Sequence, residues 1–273
     1  MENVLQSDPL RYAVCCALVF FAAYLLNMIY ITVFYHRALT HRSVHLHPWI
    51  ENFVVLTGNW ITGLDPKGWA CMHRMHHEHS DTARDPHSPL NGGVAGVLLQ
   101  QLYSYNKTLS GLIHGKRKYT MHVTDLRFGV NWLNRHHLWY LPYVLHAVIG
   151  LSLGLFFHLW LLGLFYWLGM MSHPIQGWMV NALAHRYGYR NFNTRDNSRN
   201  NFAVALLVFG EGYQNNHHEK PQSANFSHHW WEVDLGYVLC RGMAWLGVLK
   251  IPPGQSHRTN PAAPPLIVSP GEL

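Results

Sequence analysis

No aspartate, glutamate, lysine or arginine occurs between Arg135 and Arg186, and this constrains the fold more than any other feature of the chain. About 20 apolar residues in an α-helix cross a bilayer core about 30 Å thick, so the stretch is long enough for two crossings. Gly150 and Gly154 mark the expected turn, with helices near 138–153 and 156–180. A second run without formal charge, Tyr12 to Tyr35, is long enough for one crossing. It is too long for the apolar core of a secretory signal peptide, and Asn27, Tyr30 and Thr32 do not resemble a small-residue cleavage site.

The run Trp49 to Leu64 is apolar but carries Glu51, Asn52 and Asn59. If His36 and His73 share a site, the chain between them crosses the membrane zero times or twice, so an in-plane helix is expected near 48–64. Three crossings then place the N-terminus opposite the polar segments 36–137 and 181–251, which form an expected helical cap. The basic cluster Lys116-Arg117-Lys118 marks that cap as cytoplasmic, while the N-terminal flank sets Glu2 and Asp8 against Arg11 and lacks a positive excess. Residues 1–251 are expected to be one membrane domain. Residues 252–273, with prolines at 252, 253, 261, 264, 265 and 270, are expected to be a disordered tail.

Histidine is the residue that the cap is rich in. The chain has 22 of them against 20 Lys+Arg and 14 Asp+Glu, and only 12% of its residues carry formal charge, about half the ordinary share. Cys15, Cys16, Cys71 and Cys240 show no paired spacing, so a disulfide framework is not expected. Aromatic residues cluster in apolar runs rather than among basic residues, which argues against nucleic-acid binding.

The histidines recur at helical spacing. In His73-Arg74-Met75-His76-His77, the first imidazole lies one turn below the other two, so all three can converge on one point. Gln214, His217 and His218 repeat that spacing, and Asn181 and His185 sit one turn apart. His36 and His41 are five residues apart, about 140° on an ideal helix, and meet one centre only if the helix frays or turns there. His36, His41, His73, His76, His77, His185, His217 and His218 are too many for one four-coordinate zinc and suit two adjacent metals. His146 and His158 are expected to be hydrogen-bonded interior or interfacial residues. Of the remaining histidines only His87 is a candidate to orient a ligand.

With its boxes in this order, the chain resembles the membrane-bound fatty-acyl desaturase family of the stearoyl-CoA and acyl-lipid delta-9 type. His36 to His41 resembles the first HxxxxH box, and His73 to His77 with Asp85-Pro86-His87 the second. Asn181 to Gly188, then Gly210-Glu211-Gly212-Tyr213 and His217-His218, resemble the last elements. The resemblance implies an all-α integral membrane protein of about three transmembrane helices, with a cytoplasmic cap holding two iron ions on the eight histidines. It implies O2 as co-substrate, a fatty-acyl substrate, and a ferredoxin or cytochrome b5-like electron donor. Asn181 matches an asparagine that reaches one iron through water, and Trp69 and Trp178 are the candidates for the substrate pocket.

Three departures accompany the match. Gln214 stands where the family has the first histidine of its third box, leaving an amide oxygen or no ligand, so one iron is expected to be bound less tightly. Cys71-Met72 replaces an Arg-Asp pair of the animal enzymes and Pro89-Leu90-Asn91 a basic pair, which leaves the acyl carrier open. One crossing precedes the first box where the family commonly has two. Desaturation is the expected outcome; hydroxylation, acetylene or terminal-alkene formation, and a histidine-rich metal transporter are the alternatives. A bacterial inner membrane is the expected location, with the endoplasmic reticulum the alternative.

Overall fold

The computed structural model describes residues 8–254, so the expected tail lies outside the described residues from 255 onward. The chain is mostly helical. α1 (Pro9–Thr40) is one continuous helix that winds as an ordinary α-helix to Met28 and as a wider π-helix from Ile29 to Thr40. α2 (Pro48–Thr62), α3 (Pro66–His79) and α4 (Pro89–Ile113) follow. The starts are written locally. Asp8, Asp65 and Ser88 each accept a backbone N–H of the first turn, and each is followed by proline at the first helical position. α4 bends at Gly93, whose φ of 70° and ψ of 170° are not helical.

α5 (Leu141–Phe157) and α6 (Trp160–Met170) form the hairpin of the uncharged stretch. Its turn is not at Gly150 and Gly154. It falls at His158, in the left-handed conformation with φ 56°, and the two glycines lie inside α5. Their role is close packing. A Cβ on Gly163 would stand 2.1 Å from the Gly150 carbonyl oxygen, and one on Gly154 would strike the Trp160 ring. Small residues that let helix backbones touch are typical of helix pairs packed in lipid.

α6 lies alongside α1 and runs the same way: Leu162 N–H reaches the Tyr12 hydroxyl at 3.4 Å, and at the other end Asn27 donates to the Met170 carbonyl at 2.8 Å. The start of α1 and the turn at His158 therefore share one end of the bundle. His146 is satisfied between the Tyr166 hydroxyl and the Trp60 carbonyl, each 2.7 Å away, as expected of an interior histidine.

Beyond the hairpin, α7 (His173–Trp178) runs into a second π turn, Met179–Leu183. α8 (Phe202–Leu207), α9 (Gln214–Glu219) and α10 (Leu235–Trp245) complete the cap. Among the described residues the one pair of strands, β1 (His45–Leu46) and β2 (Leu249–Lys250), is antiparallel and ties the end of the described chain back beside the first histidine box. The main core joins the π part of α1 to α2, α3 and α4 through Tyr35, Leu39, Val54, Trp69 and Leu109. The four cysteines are free thiols.

Gly163→Ala is expected to lower the thermal unfolding temperature in detergent, because overpacking against backbone costs about 1–3 kcal/mol. Gly96→Ala, where the added methyl meets open space within a helix, is the control and is expected to be neutral or slightly stabilising.

Candidate metal centre

α3 and α9 each place two adjacent histidines at the centre of the cap. Adjacent residues on a helix point about 100° apart, so each pair divides between two clusters. His73 and His77, one turn apart, join His217, His36 and His41 in the first cluster; His76 joins His185 and His218 in the second. The convergence of His73, His76 and His77 on one point, open to the spacing alone, is thus not what forms.

The meeting of His36 and His41 depends on the π winding. Its hydrogen bonds run from residue i+5 to residue i, as in His41 N–H to the His36 carbonyl at 3.1 Å, so a turn holds more residues and a five-residue step nearly closes it. The second π turn repeats the device beside Asn181.

The first cluster has the edge lengths of a metal polyhedron. Nε2 of His36 lies 3.0 Å from that of His217, His217 lies 3.0 Å from His77, His77 from His73 by the same distance, and His73 likewise from His41. With metal–imidazole bonds of about 2.1 Å, ligands at right angles stand about 3.0 Å apart and tetrahedral ones about 3.4 Å. Five imidazoles at such spacing describe part of an octahedron or a square pyramid rather than a structural tetrahedral zinc site.

Four carboxylates fix which ring nitrogen faces inward. Nδ1 of His36 meets Glu211 at 2.6 Å, His76 meets Asp85 at 2.9 Å, His185 meets Asp81 at 2.9 Å and His218 meets Asp196 at 2.6 Å. With Nδ1 so engaged, Nε2 turns toward the cluster. In the second cluster all three Nε2 atoms are buried without a hydrogen-bond partner. Such orphans cost about 1–3 kcal/mol each unless something accepts their lone pairs, which a cation would do. Burial alone would raise Asp81, Asp85 and Asp196, yet the histidine each one holds pulls it below the usual carboxylate range. Asp85 and Glu211 fall within the quoted sequence elements, but the sequence assigned none of the four acids a histidine partner. Asp81 and Asp85 stand close enough to the second box to be found; Asp196 carries no local signal.

Glu211 also bridges to Arg37, a fully buried charge. The Arg37 guanidinium donates to Glu211 at 3.0 Å, to both oxygens of Asp234 at 3.0 and 2.9 Å and to the Ala224 carbonyl at 2.9 Å, and it covers the Phe226 ring.

An apolar cavity opens beside the clusters, walled by Ile31, Leu64, Met72, Leu102, Val180 and Val208. Trp69, His73, Asn181 and Gln214 also line it. Trp69 stacks on His73 with ring centroids 4.9 Å apart, so it touches the cluster and the cavity together. Gln214 is buried and donates its Nε2 to the Glu211 carbonyl at 2.8 Å. Trp178 lies outside this lining. Its indole N–H finds its acceptor in the Val94 carbonyl at 2.8 Å, just past the bend of α4, which draws the ring away.

Eight imidazoles in two adjacent clusters, backed by carboxylates and opening on an apolar cavity, are the donor set of a metal-dependent oxidoreductase for an apolar substrate. A family model described as fatty acid desaturase matches residues 12–244. The chain is 33% identical over 222 residues to an sn-1 stearoyl-lipid 9-desaturase of Anabaena variabilis, which covers 80% of this chain and 76% of that one. It is 32% identical over 250 residues to an acyl-CoA C20 delta5-desaturase of Anemone leveillei (81% and 69%). It is 30% identical over 256 residues to a hex-5-enoyl-[acyl-carrier protein] acetylenase of Moorena producens (82% and 72%). The chain belongs to the fatty acid desaturase family and is an oxidoreductase that desaturates fatty-acyl chains.

Asp196→Asn is expected to weaken metal retention in the second cluster by about tenfold to a hundredfold while the first keeps its metal, measured as iron per chain against a chelator series. The metal-free protein is expected to be acid-labile. Burial first, then neighbouring imidazoles, holds His41, His73, His77 and His217 well below the ordinary 6.5, and His218 is lowered to about 4, by burial against the opposing pull of Asp196. Burial would also lower His76, but Asp85 outweighs it and raises that one group. Between the lowered native values and about 6.5 the unfolded chain binds more protons, so stability present above pH 6.5 is lost as pH falls. Thermal melts of the metal-free protein from about pH 7.5 to 5 check this, and a melting temperature rising toward acid would contradict it.

Proposed function

We propose that the two clusters each hold one iron ion, that O2 is the co-substrate, and that an acyl chain lying in the apolar cavity beside His73 loses two hydrogens to give a C=C bond. The ligands are His36, His41, His73, His77 and His217 for the first iron and His76, His185 and His218 for the second, with Asn181 reaching the second through water. The observation that carries this reading is the 3.0 Å spacing of the inward ring nitrogens together with the carboxylate behind each of four rings. Two irons with dioxygen supply an oxidant strong enough for an unactivated C–H bond.

The protein's own part is placement. The cavity wall excludes water from the alkyl chain, Trp69 fixes the His73 ring, and Glu211 holds His36 while Arg37 holds Glu211. Positioning at the ångström scale separates desaturation from hydroxylation, and an apolar slot beside His73 serves it. Electrons come from a small redox protein of the ferredoxin or cytochrome b5 type.

The site lies at the cytoplasmic face of a membrane crossed three times, by α1 and by the hairpin of α5 and α6. Several features support this. Pro9–Met28 is 20 residues, about 30 Å of helix. Leu10, Val14, Leu18, Phe21 and Leu25 are exposed along one side of it, and Leu151, Leu155, Leu161 and Leu164 along the hairpin. Trp49, Phe53, Leu56 and Trp60 form an exposed stripe on α2, as an in-plane helix requires.

Expressed in a host of known lipid composition, the protein is expected to yield acyl products lighter by two mass units, with two irons per purified chain. A product heavier by sixteen units without the lighter one would replace desaturation by hydroxylation. Zinc flux across vesicles without iron would favour a transporter.

A further inference from the structure

A second cavity, of about 390 Å³, opens beside the second cluster and shares no residue with the apolar one. That is room for a small ligand or a head group. Its wall carries Arg186 and Arg199 together with His185, Tyr187, Asn197 and the first turn of α4. Arg199 is 8% exposed, yet its guanidinium makes one hydrogen bond only, from Nη1 to the Gly188 carbonyl at 3.4 Å. Among the described residues the arginine ion pairs are those of Arg11, Arg37, Arg42 and Arg74, and neither Arg186 nor Arg199 has one. The formal charges that act on Arg199 are Arg186 and Arg190, both of its own sign.

Burying a cation is costly unless an opposite charge meets it. Arg37 meets two carboxylates; Arg199 meets none. Asp81, which holds His185, has both oxygens taken: one accepts from His185 Nδ1 and from the Asn197 N–H, the other from the Ser88 hydroxyl. The backbone nonetheless fixes Arg199 in place. Its N–H donates to the Ala184 carbonyl at 2.7 Å, and Asn200 pairs in both directions with Tyr189. The cavity is thus built around positive charge, and a phosphate is the anion whose oxygens arginine grips in pairs.

The rim points to the source of that phosphate. Tyr187 and Leu90, both in the wall, are 52% and 57% exposed. The Asn201 side chain, at the start of α8, donates to the Tyr187 carbonyl at 3.3 Å. α8 in turn leaves Phe202, Leu206 and Leu207 exposed, and the Leu207 carbonyl accepts from the Tyr24 hydroxyl of α1 at 2.7 Å. α8 therefore lies against the first spanning helix with apolar side chains uncovered. A cationic floor beside an apolar, tyrosine-bearing rim matches a lipid head group with its acyl chains; a free anion needs no such rim.

Resting on the membrane placement above, we propose that this cavity binds the phosphate of a phospholipid from the leaflet that faces the cap, held by Arg199 and Arg186. The lipid supplies the counter-charge that the chain omits, and it braces the segment 185–199 that brings His185 and Asp196 to the second cluster.

The test uses the full chain in a non-ionic detergent and three probes followed by isothermal titration calorimetry: short-chain phosphatidylglycerol, a diacylglycerol with the same acyl chains, and inorganic phosphate. The wild type is expected to bind the phospholipid, to bind inorganic phosphate more weakly, and not to bind the diacylglycerol. Arg199→Gln is expected to weaken phospholipid binding about tenfold, the size of one lost charge-assisted contact, and Arg199→Lys to weaken it less. Arg117→Gln, outside the cavity, is expected to leave it unchanged. Diacylglycerol bound as well as the phospholipid, inorganic phosphate bound as tightly, or wild-type lipid binding by Arg199→Gln would each overturn the proposal. If Arg199→Gln keeps its lipid but is reduced more slowly by ferredoxin, the arginines serve an acidic redox partner instead. Every variant is checked by circular dichroism and iron per chain, and should Arg199→Gln misfold, Arg186→Gln, at an exposed position, replaces it under the same criteria. A wild type that stays dispersed without detergent and does not float with vesicles would sink the membrane placement itself, and the lipid source with it, a result that no arginine variant can mimic.

Discussion

Everything in the cap depends on imidazole rings being held by one nitrogen so that the other is free. A buried histidine left to itself turns to satisfy whichever nitrogen is cheaper. Here Glu211, Asp85, Asp81 and Asp196 take Nδ1 of four rings, and the inward Nε2 atoms are left facing one another with no protein partner able to satisfy all of them. Each acid comes from a segment other than its histidine's helix, apart from the short loop that brings Asp85 back to His76. The pairs therefore lock segments together as well as rings. Asp81 joins the end of α3 to the π turn through His185 and also accepts the Asn197 N–H at 2.8 Å, and Asp196 reaches α9.

Behind that layer stands Arg37. It lies next to His36 on the π part of α1 and is fully buried. Its two carboxylates arrive from distant parts of the chain, Glu211 from the loop before α9 and Asp234 from the start of α10. The tight turn at Gly210 permits this. Its φ is 93°, and a Cβ there would stand 2.1 Å from an Asp234 oxygen. A buried ion pair of this kind adds little net stability, yet losing one partner costs about 3–5 kcal/mol because the other charge is stranded. The arginine thus makes the position of Glu211, and through it His36, an all-or-none property of the folded cap.

The sequence carried the metal-ligand candidates and the helical class, because histidines at i, i+3 and i+4 and long uncharged runs are local signals. It did not carry how the histidines divide. His76 and His77 are neighbours in every local sense, and only the positions of α9 and His185 decide that they serve different clusters. The π winding was equally hidden, since its i+5 bonds are stabilised by the packing of Tyr35, His36 and Arg37 and not by residue preference. Gly150 and Gly154 misled for a physical reason: glycine marks turns in water, but in a helix pair with apolar faces it marks the closest approach of two backbones. Trp178 was drawn away by an acceptor, the Val94 carbonyl, that no spacing rule could place.

The two irregular helices and the uneven clusters belong together. A regular α-helix cannot aim His36 and His41 at one point, so α1 is underwound over Ile29–Thr40, and the cost of that winding is offset by burying it on nearly every side. This fixes a five-imidazole cluster whose nitrogens are spent on one another's neighbourhood. The cavity does not open on it broadly: of the eight imidazoles His73 alone lines the cavity, while His185 lines a second one shared with Arg186 and Arg199. The rest of the polar wall is Asn181, Gln214, Glu211, His87 and the amides and imidazole beyond them. Along this wall a neutral amide, Gln214, stands where the spacing of α3 has an imidazole. The asymmetry between the clusters is thus one of content, five imidazoles against three, and the cavity touches the fuller one through His73.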